Sequence, residues 1–208
     1  MRALTWSFDF VSPFSYLSFR QLSELPRDLT VELRPVLFAG LLQHHGQKGP
    51  AEIAAKRRWT YRWCTWWARE LGIPFRFPAQ HPFNPLHHLR LSVAAGPTRE
   101  TVGRIFDAIW TTGADAADPG AFSELARGLG VDAARLAAPE VKDGLRRNTD
   151  EAAARGVFGV PTFEVDGEQF WGADALGFVQ AYLRDPDLLR GEEFRRVDAL
   201  PVGAARKT

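Results

Sequence analysis

Ser12-Pro13-Phe14-Ser15 is the run whose residue types and spacing best suit chemistry in this 208-residue chain. Serine followed by proline marks the cap and first position of a helix. The unpaired N–H groups and positive dipole end at such a terminus favour an anion. A serine hydroxyl there can donate a hydrogen bond to an anion carried by another molecule. The dipole cannot make the hydroxyl itself appreciably anionic. A plain helix cap would use the same residues. Asp9 lies three residues earlier and is expected to be largely buried. Burial raises a carboxyl pKa, so Asp9 would either relay a proton or simply fix the loop. His44-His45 and His87-His88 are adjacent pairs, and adjacent residues do not share a face of a helix or strand. No metal site is expected from them. Cys64 is the single cysteine, which excludes an intrachain disulfide and points to a reducing, cytoplasmic setting.

The elements that must position these residues follow from periodicity. Leu4, Trp6, Phe8 and Phe10 alternate with Thr5, Ser7 and Asp9, which predicts a strand over 3–10. A helix opens at Ser12-Pro13 and runs to about Leu25, ending before Pro26. Residues 30–37 read as a second strand, with Pro35 at an edge or bulge. A Gly/His/Lys loop from His44 to Pro50 then leads into helices over 51–71, 85–95, 99–112, from Asp118 to Gly130, and from Pro139 to about Arg155. The first of these carries Trp59, Trp63, Trp66 and Trp67, expected to serve as helix core, with one or two walling a pocket. Strands return at 161–165 and 168–171 around the turn Asp166-Gly167, and a last helix covers about 174–183. Residues 185–208 show no clear periodicity and read as a surface tail. The expected fold class is α/β, with an all-α insertion. The divided α/β domain spans 1–45 and 146–184, and the helical insertion spans 46–145.

Composition narrows the partners. Lys and Arg total 26 against 25 Asp and Glu, for a net charge of +1, so neither nucleic acid nor an anionic membrane is an expected partner. Asp9 interrupts the apolar N-terminal run too early for a signal peptide, and no window is long and apolar enough to span a membrane.

Several motifs, taken together, resemble a known family. They are Phe8-Asp9-Phe10-x-Ser12-Pro13-Phe14-Ser15, Gly46-x-Lys48-x-Pro50, Gly72-Ile73-Pro74-x-x-x-Pro78, Gly156-Val157-Phe158-Gly159-Val160-Pro161-Thr162-Phe163 and Trp171-Gly172-x-Asp174. In order and spacing the chain is similar to 2-hydroxychromene-2-carboxylate isomerases, close to kappa-class glutathione transferases and, in fold, to DsbA-type oxidoreductases. The resemblance implies a thioredoxin-like domain interrupted by a helical insertion, a glutathione cofactor, a small aromatic substrate and a homodimer. It implies that Ser12, in the corner where redox relatives carry C-x-x-C, hydrogen-bonds the glutathione sulfur. The Val160 backbone, before a cis Pro161, would pair with the cysteinyl part of glutathione. Asp174 would take the γ-glutamyl ammonium, Lys56 the glycyl carboxylate, and Gln47 a nearby polar contact. Helix capping by Asp174 and a solvated Lys56 are the plainer alternatives. Asp9, Phe14, Asn84 and Trp171 are candidates for substrate contact or support. After Pro78 the chain departs from an Asn-Tyr-Asn-Ser-Arg-Arg-like run of some isomerases. It reads Gln80-His81-Pro82-Phe83-Asn84-Pro85-Leu86-His87-His88, without the tandem arginines. The implied activity is glutathione-dependent isomerisation of an aromatic keto acid by reversible thiolate addition. The alternatives are a kappa-like glutathione transferase and a non-catalytic module that binds peptide or glutathione.

Overall fold

The computed structural model describes residues 2–204. Its four-stranded sheet has the order β2-β1-β3-β4. Strand β1 (Ala3–Phe8) pairs in parallel with β2 (Thr30–Pro35) and antiparallel with β3 (Thr162–Val165). Strand β4 (Glu168–Trp171) completes the hairpin with β3. A parallel pair needs a crossover, supplied here by helix α1 (Pro13–Gln21) and one 3-10 turn after it. Asp166 at φ 52° and Gly167 at φ 86° make the β3–β4 link, a turn that requires left-handed backbone at both central residues.

Between β2 and β3 the described chain is helical. Helices α2 (Phe38–His44), α3 (Ala54–Glu70), α4 (Leu86–Ala95), α5 (Arg99–Trp110), α6 (Pro119–Gly128), α7 (Ala133–Ala137) and α8 (Pro139–Ala154) follow one another. Helix α9 (Leu176–Arg184) follows β4, and α10 (Glu192–Asp198) comes last. The sheet is interrupted by helices, as the periodicity implied, and it is thioredoxin-like, as the resemblance implied. None of the described helices is long and apolar enough to cross a membrane.

Burial explains why the interior strand is so apolar. Leu4, Trp6, Phe8 and Phe10 are fully buried on one face, where Trp6 stacks on Phe8 with centroids 4.7 Å apart. Phe106 of α5 packs against the rings of Trp6, Phe8 and Phe10. Ser7 and Asp9, on the other side of the strand, are fully buried too, as expected for Asp9. A central strand is covered on both sides. On the opposite face a smaller cluster forms from Val36, Leu41, Ala152, Ala153, Val157 and Val160.

Four local expectations differ from the structure. The expected division at 145/146 falls inside α8, which runs unbroken over Pro139–Ala154. Thr149 Oγ1 accepts from Leu37 N–H at 3.0 Å, and Ala152 and Ala153 pack with Val36 and Val160, so the C-terminal turns of this helix are tied to the sheet. Helix α2 occupies residues with no assigned element, because Asp9 rather than a local cap holds its first N–H. Only half of the tryptophan run is core: Trp63 and Trp67 are half-buried and pack against the core cluster. Trp59 is 61% and Trp66 49% exposed, while Thr60, Cys64 and Ala68, at i, i+4 and i+8, form the buried face of α3. Small residues on that face let the helix backbone approach α1 closely, so the indoles flank the contact. Finally, α10 and a 3-10 turn at Leu188–Arg190 lie in the segment read as a tail, with Phe194 stacked on Phe178 of α9. The end of that segment, 205–208, lies outside the described residues.

Candidate active site

The corner after β1 is built from its own backbone. Ser12 caps α1: its Oγ accepts from Ser15 N–H at 3.1 Å. That bond uses a lone pair, and the hydroxyl hydrogen has no acceptor among the described residues. Ser12 is 6% exposed and faces a cavity of about 400 Å³, a size suited to a small-molecule ligand. Asp9 borders the same cavity. Its Oδ1 accepts from Val11 N–H at 3.0 Å and its Oδ2 from Phe38 N–H at 2.8 Å. Asp9 therefore ties the Ser12 loop to the start of α2. Burial pushes its carboxyl up to about 7, against the opposing pull of these N–H donors.

The far wall comes from the segment before β3. Phe158, Gly159 and Val160 line the cavity, and the Val160–Pro161 bond is cis. Trp171, at the end of β4, closes over this stretch. Its ring lies 5.0 Å from that of Phe158, and its Nε1 sits 2.5 Å from where a Gly159 Cβ would stand. Only a glycine lets the indole approach so closely. The remaining lining is aromatic and apolar, including Phe14, Phe38, Leu42 and Phe83, with Gln47, Lys48, Glu52 and Lys56 as its polar rim.

Of the residues singled out from the sequence, Asp9, Ser12, Phe14, Gln47, Lys56, Val160 and Trp171 meet at this cavity. Pro161 is buried directly behind Val160 rather than on the wall. Asp174 is exposed in a 3-10 turn, away from the lining, with its Oδ1 folded back toward Gly172. Asn84 is also off the lining; its Oδ1 accepts from Leu86 N–H at 3.0 Å at the start of α4. Of the tryptophans on α3, none lines this cavity, although Trp63 packs on Phe14 at 5.4 Å.

Sequence reasoning missed Tyr61 and His81, which also line the cavity. His81 Nε2 lies 2.8 Å from the Val11 carbonyl, next to Ser12. Tyr61 Oη lies 2.6 Å from His81 Nδ1 and 2.7 Å from the His81 carbonyl oxygen. Burial holds the His81 imidazole below its ordinary value, offset in part by the Val11 carbonyl. The signal for Tyr61 was obscured by the tryptophans around it. His81 stands in the run after Pro78, which the sequence marks only as a departure from the family's pattern.

Cys64 is buried within α3, and burial pushes its thiol up to about 12. The chain's single cysteine is thus held as an inert thiol. Among the described residues, no three of His, Cys, Asp and Glu converge as a metal site would require.

Comparison with known proteins agrees with this architecture. A DSBA-like thioredoxin domain matches residues 3–184. A 2-hydroxychromene-2-carboxylate isomerase of Sphingobium xenophagum is 31% identical over 88% of this chain and 99% of its own length. Glutathione S-transferase kappa 2 of Caenorhabditis elegans is 28% identical over 89% of this chain and 93% of its own. The solved structure of a 2-hydroxychromene-2-carboxylate isomerase superposes with a TM-score of 0.76 at 25% identity, covering 96% of this chain and all of that one. A thioredoxin-like sheet and likeness over nearly the full length place this chain in the DSBA-like thioredoxin family, with the 2-hydroxychromene-2-carboxylate isomerases and the kappa-class transferases as its relatives.

Proposed function

We propose that this chain is a glutathione-dependent isomerase of aromatic keto acids of the 2-hydroxychromene-2-carboxylate or arylidene-pyruvate type. The observation that carries the reading is Ser12. It caps α1 through a lone pair and turns a free hydroxyl hydrogen toward a cavity lined by the Val160 backbone. The residues present fit glutathione. The Val160 backbone offers strand-like pairing to an extended peptide. Lys48 and Lys56 on the rim are cations for a terminal carboxylate, with Gln47 beside them. Asp174 is exposed and off the cavity lining, so its pairing with the γ-glutamyl ammonium is carried by the resemblance alone.

Glutathione supplies, when bound, the thiolate that adds reversibly to a conjugated C=C and so frees it to rotate. Ser12 donates its hydroxyl hydrogen to the sulfur, and the α1 N-terminus adds its dipole, so both favour the charged form. Cys64 cannot take this role, because its thiol is buried in α3. Phe14, Phe38 and Phe83 enclose a flat aromatic substrate and exclude water from it. The name carried by the relative that is 31% identical supports the isomerase reading. The kappa-class likeness supports a second one, in which the adduct is released instead of eliminated. Family likeness also supports a homodimer, and the lone cysteine a reducing, cytoplasmic setting.

The test is calorimetry with reduced glutathione, followed by chromatography of an arylidene pyruvate incubated with protein and glutathione. Interconversion of the two isomers with glutathione recovered supports the isomerase. Accumulation of the conjugate supports the transferase. Glutathione binding without turnover of a broad set of such acids would leave the non-catalytic module.

A further inference from the structure

Tyr61 and His81 face the cavity from α3 and from the loop before α4, and the reading above gives them no work. Their hydrogen bonds count unequally in the two protonation states of the imidazole. The Val11 carbonyl can only accept, so Nε2 carries a hydrogen. In the neutral ring Nδ1 is then a bare lone pair. The single phenolic hydrogen of Tyr61 faces two acceptors, Nδ1 at 2.6 Å and the His81 carbonyl at 2.7 Å. It cannot serve both well. With one more proton on Nδ1 the count closes. Nδ1–H donates to Tyr61 Oη, Tyr61 O–H donates to the His81 carbonyl, and Nε2–H keeps the Val11 carbonyl.

From this geometry we infer that Tyr61 and His81 form a proton relay, which takes one proton from a thiol brought into the cavity and returns it to the enolate oxygen or carbon of the substrate. The inference rests on the glutathione reading. Tyr61 Oη accepts the proton as the S–H bond breaks, and the electron pair stays on sulfur. The original Tyr61 O–H proton passes to His81 Nδ1, making an imidazolium. The reverse transfer puts the proton on the substrate and restores neutral His81, so nothing is oxidised or reduced. Tyr61 is the group that touches the ligand, and His81 acts through it. The relay would offer in this cavity the polar partner that the missing tandem arginines do not.

The surroundings suit a group that changes charge only when an anion is present. The rings of Phe77, Phe83 and Trp110 pack around the imidazole and carry no charge. Arg57 bears on Tyr61 from the same helix. Asp9, Lys48, Glu52 and Lys56 are the charged groups that share the cavity. Burial disfavours the imidazolium. A thiolate beside Tyr61 would favour it.

Two variants test the relay. Tyr61→Phe keeps the ring that packs on Phe77 at 4.3 Å and removes only the hydroxyl. His81→Gln, whose amide reaches as far as Nε2, keeps an N–H for the Val11 carbonyl and cannot take the proton. Nitrogen NMR of the imidazoles, without any turnover, is the first readout. Reduced glutathione should protonate His81 Nδ1 at neutral pH, S-methylglutathione should not, and in Tyr61→Phe neither should. In turnover of an arylidene pyruvate, Tyr61→Phe should lower kcat by about a hundredfold, as for loss of a general acid–base. In His81→Gln the acid limb of kcat/KM should vanish. A merely structural bond would leave that limb in place. An unprotonated Nδ1 in the reduced-glutathione complex, or Tyr61→Phe turnover within twofold of the unsubstituted protein, would overturn the relay and leave the glutathione reading standing. Absence of glutathione binding by the unsubstituted protein would overturn both.

Discussion

The buried Asp9 makes the fold itself sensitive to pH, in a direction opposite to the usual carboxylate. Its folded pKa is pushed by burial from 3.8 to about 7. Below 3.8 the carboxyl is protonated in folded and unfolded chains alike, and its contribution is fully present. Between the two values only the unfolded chain gives up the proton, so stability falls as pH rises. Above about 7 the loss is complete. At ~1.4 kcal/mol per tenfold change, this amounts to ~4 kcal/mol across the window. His88 works in the opposite sense. Burial, with His87 beside it, lowers its imidazole from 6.5 to about 4. Only the unfolded chain then gains a proton as pH falls through that window, so stability is lost toward acid, by ~3 kcal/mol.

The two slopes nearly cancel in the native protein, and substitution should uncover each of them. Asp9→Asn cannot ionise. It keeps one acceptor but turns an NH2 toward either Val11 N–H or Phe38 N–H, which costs ~1–3 kcal/mol at all pH values. Urea unfolding at half-unit steps from pH 4 to 8 would compare it with the native chain. The stability difference between them should change by ~4 kcal/mol across that range, in favour of Asp9→Asn at high pH. His88→Phe fills the space beside Phe83 and Phe122 without a titrating group, and its stability should fall steadily from pH 4 to 7 through the exposed Asp9 slope. Parallel stability curves for Asp9→Asn and the native protein would refute the raised carboxyl.

Ser12→Ala should cost about 1 kcal/mol of stability, the value of a lost cap, while glutathione-dependent turnover falls roughly a hundredfold and the thiol of bound glutathione titrates at higher pH in ultraviolet absorbance. Gly159→Ala would place a Cβ 2.5 Å from Trp171 Nε1 and swing the indole off the cavity, so calorimetry should find glutathione bound about tenfold more weakly with little change in the urea midpoint. Trp110→Phe removes the Nε1–H bond to the Phe10 carbonyl at 3.0 Å in the core, and should lower stability by ~2 kcal/mol or more in the same urea assay.

How much of this was legible in the sequence depended on whether a signal was local. Strand β1, the Ser12 cap and the Asp166-Gly167 turn declare themselves within a few residues, and the structure has them at the expected positions. Helix α2 does not, because its first N–H is held by Asp9, 29 residues earlier in the chain. Two of the α3 tryptophans were misread for a related reason. Their size suggested core, but a helix packed this closely buries Thr60, Cys64 and Ala68 and turns Trp59 and Trp66 outward.

The cavity divides along the same line. Ser12 could be found because a helix start has a sequence signature. Val160 and Trp171 could be placed only through the resemblance, which implied that a strand and a turn far along the chain come back to that helix. Tyr61 and His81 had neither a local signature nor a matching motif, since each gains meaning only from the atoms it faces. An isolated tyrosine on a helix is a surface residue until its hydroxyl is found 2.6 Å from an imidazole. An isolated histidine is a satisfied core group until its other nitrogen is found on the carbonyl beside the capping serine. Residues that define a family are visible in one chain because their spacing repeats across relatives. Residues that distinguish a chain from its relatives carry no such spacing, so the structure is where substrate preference has to be sought.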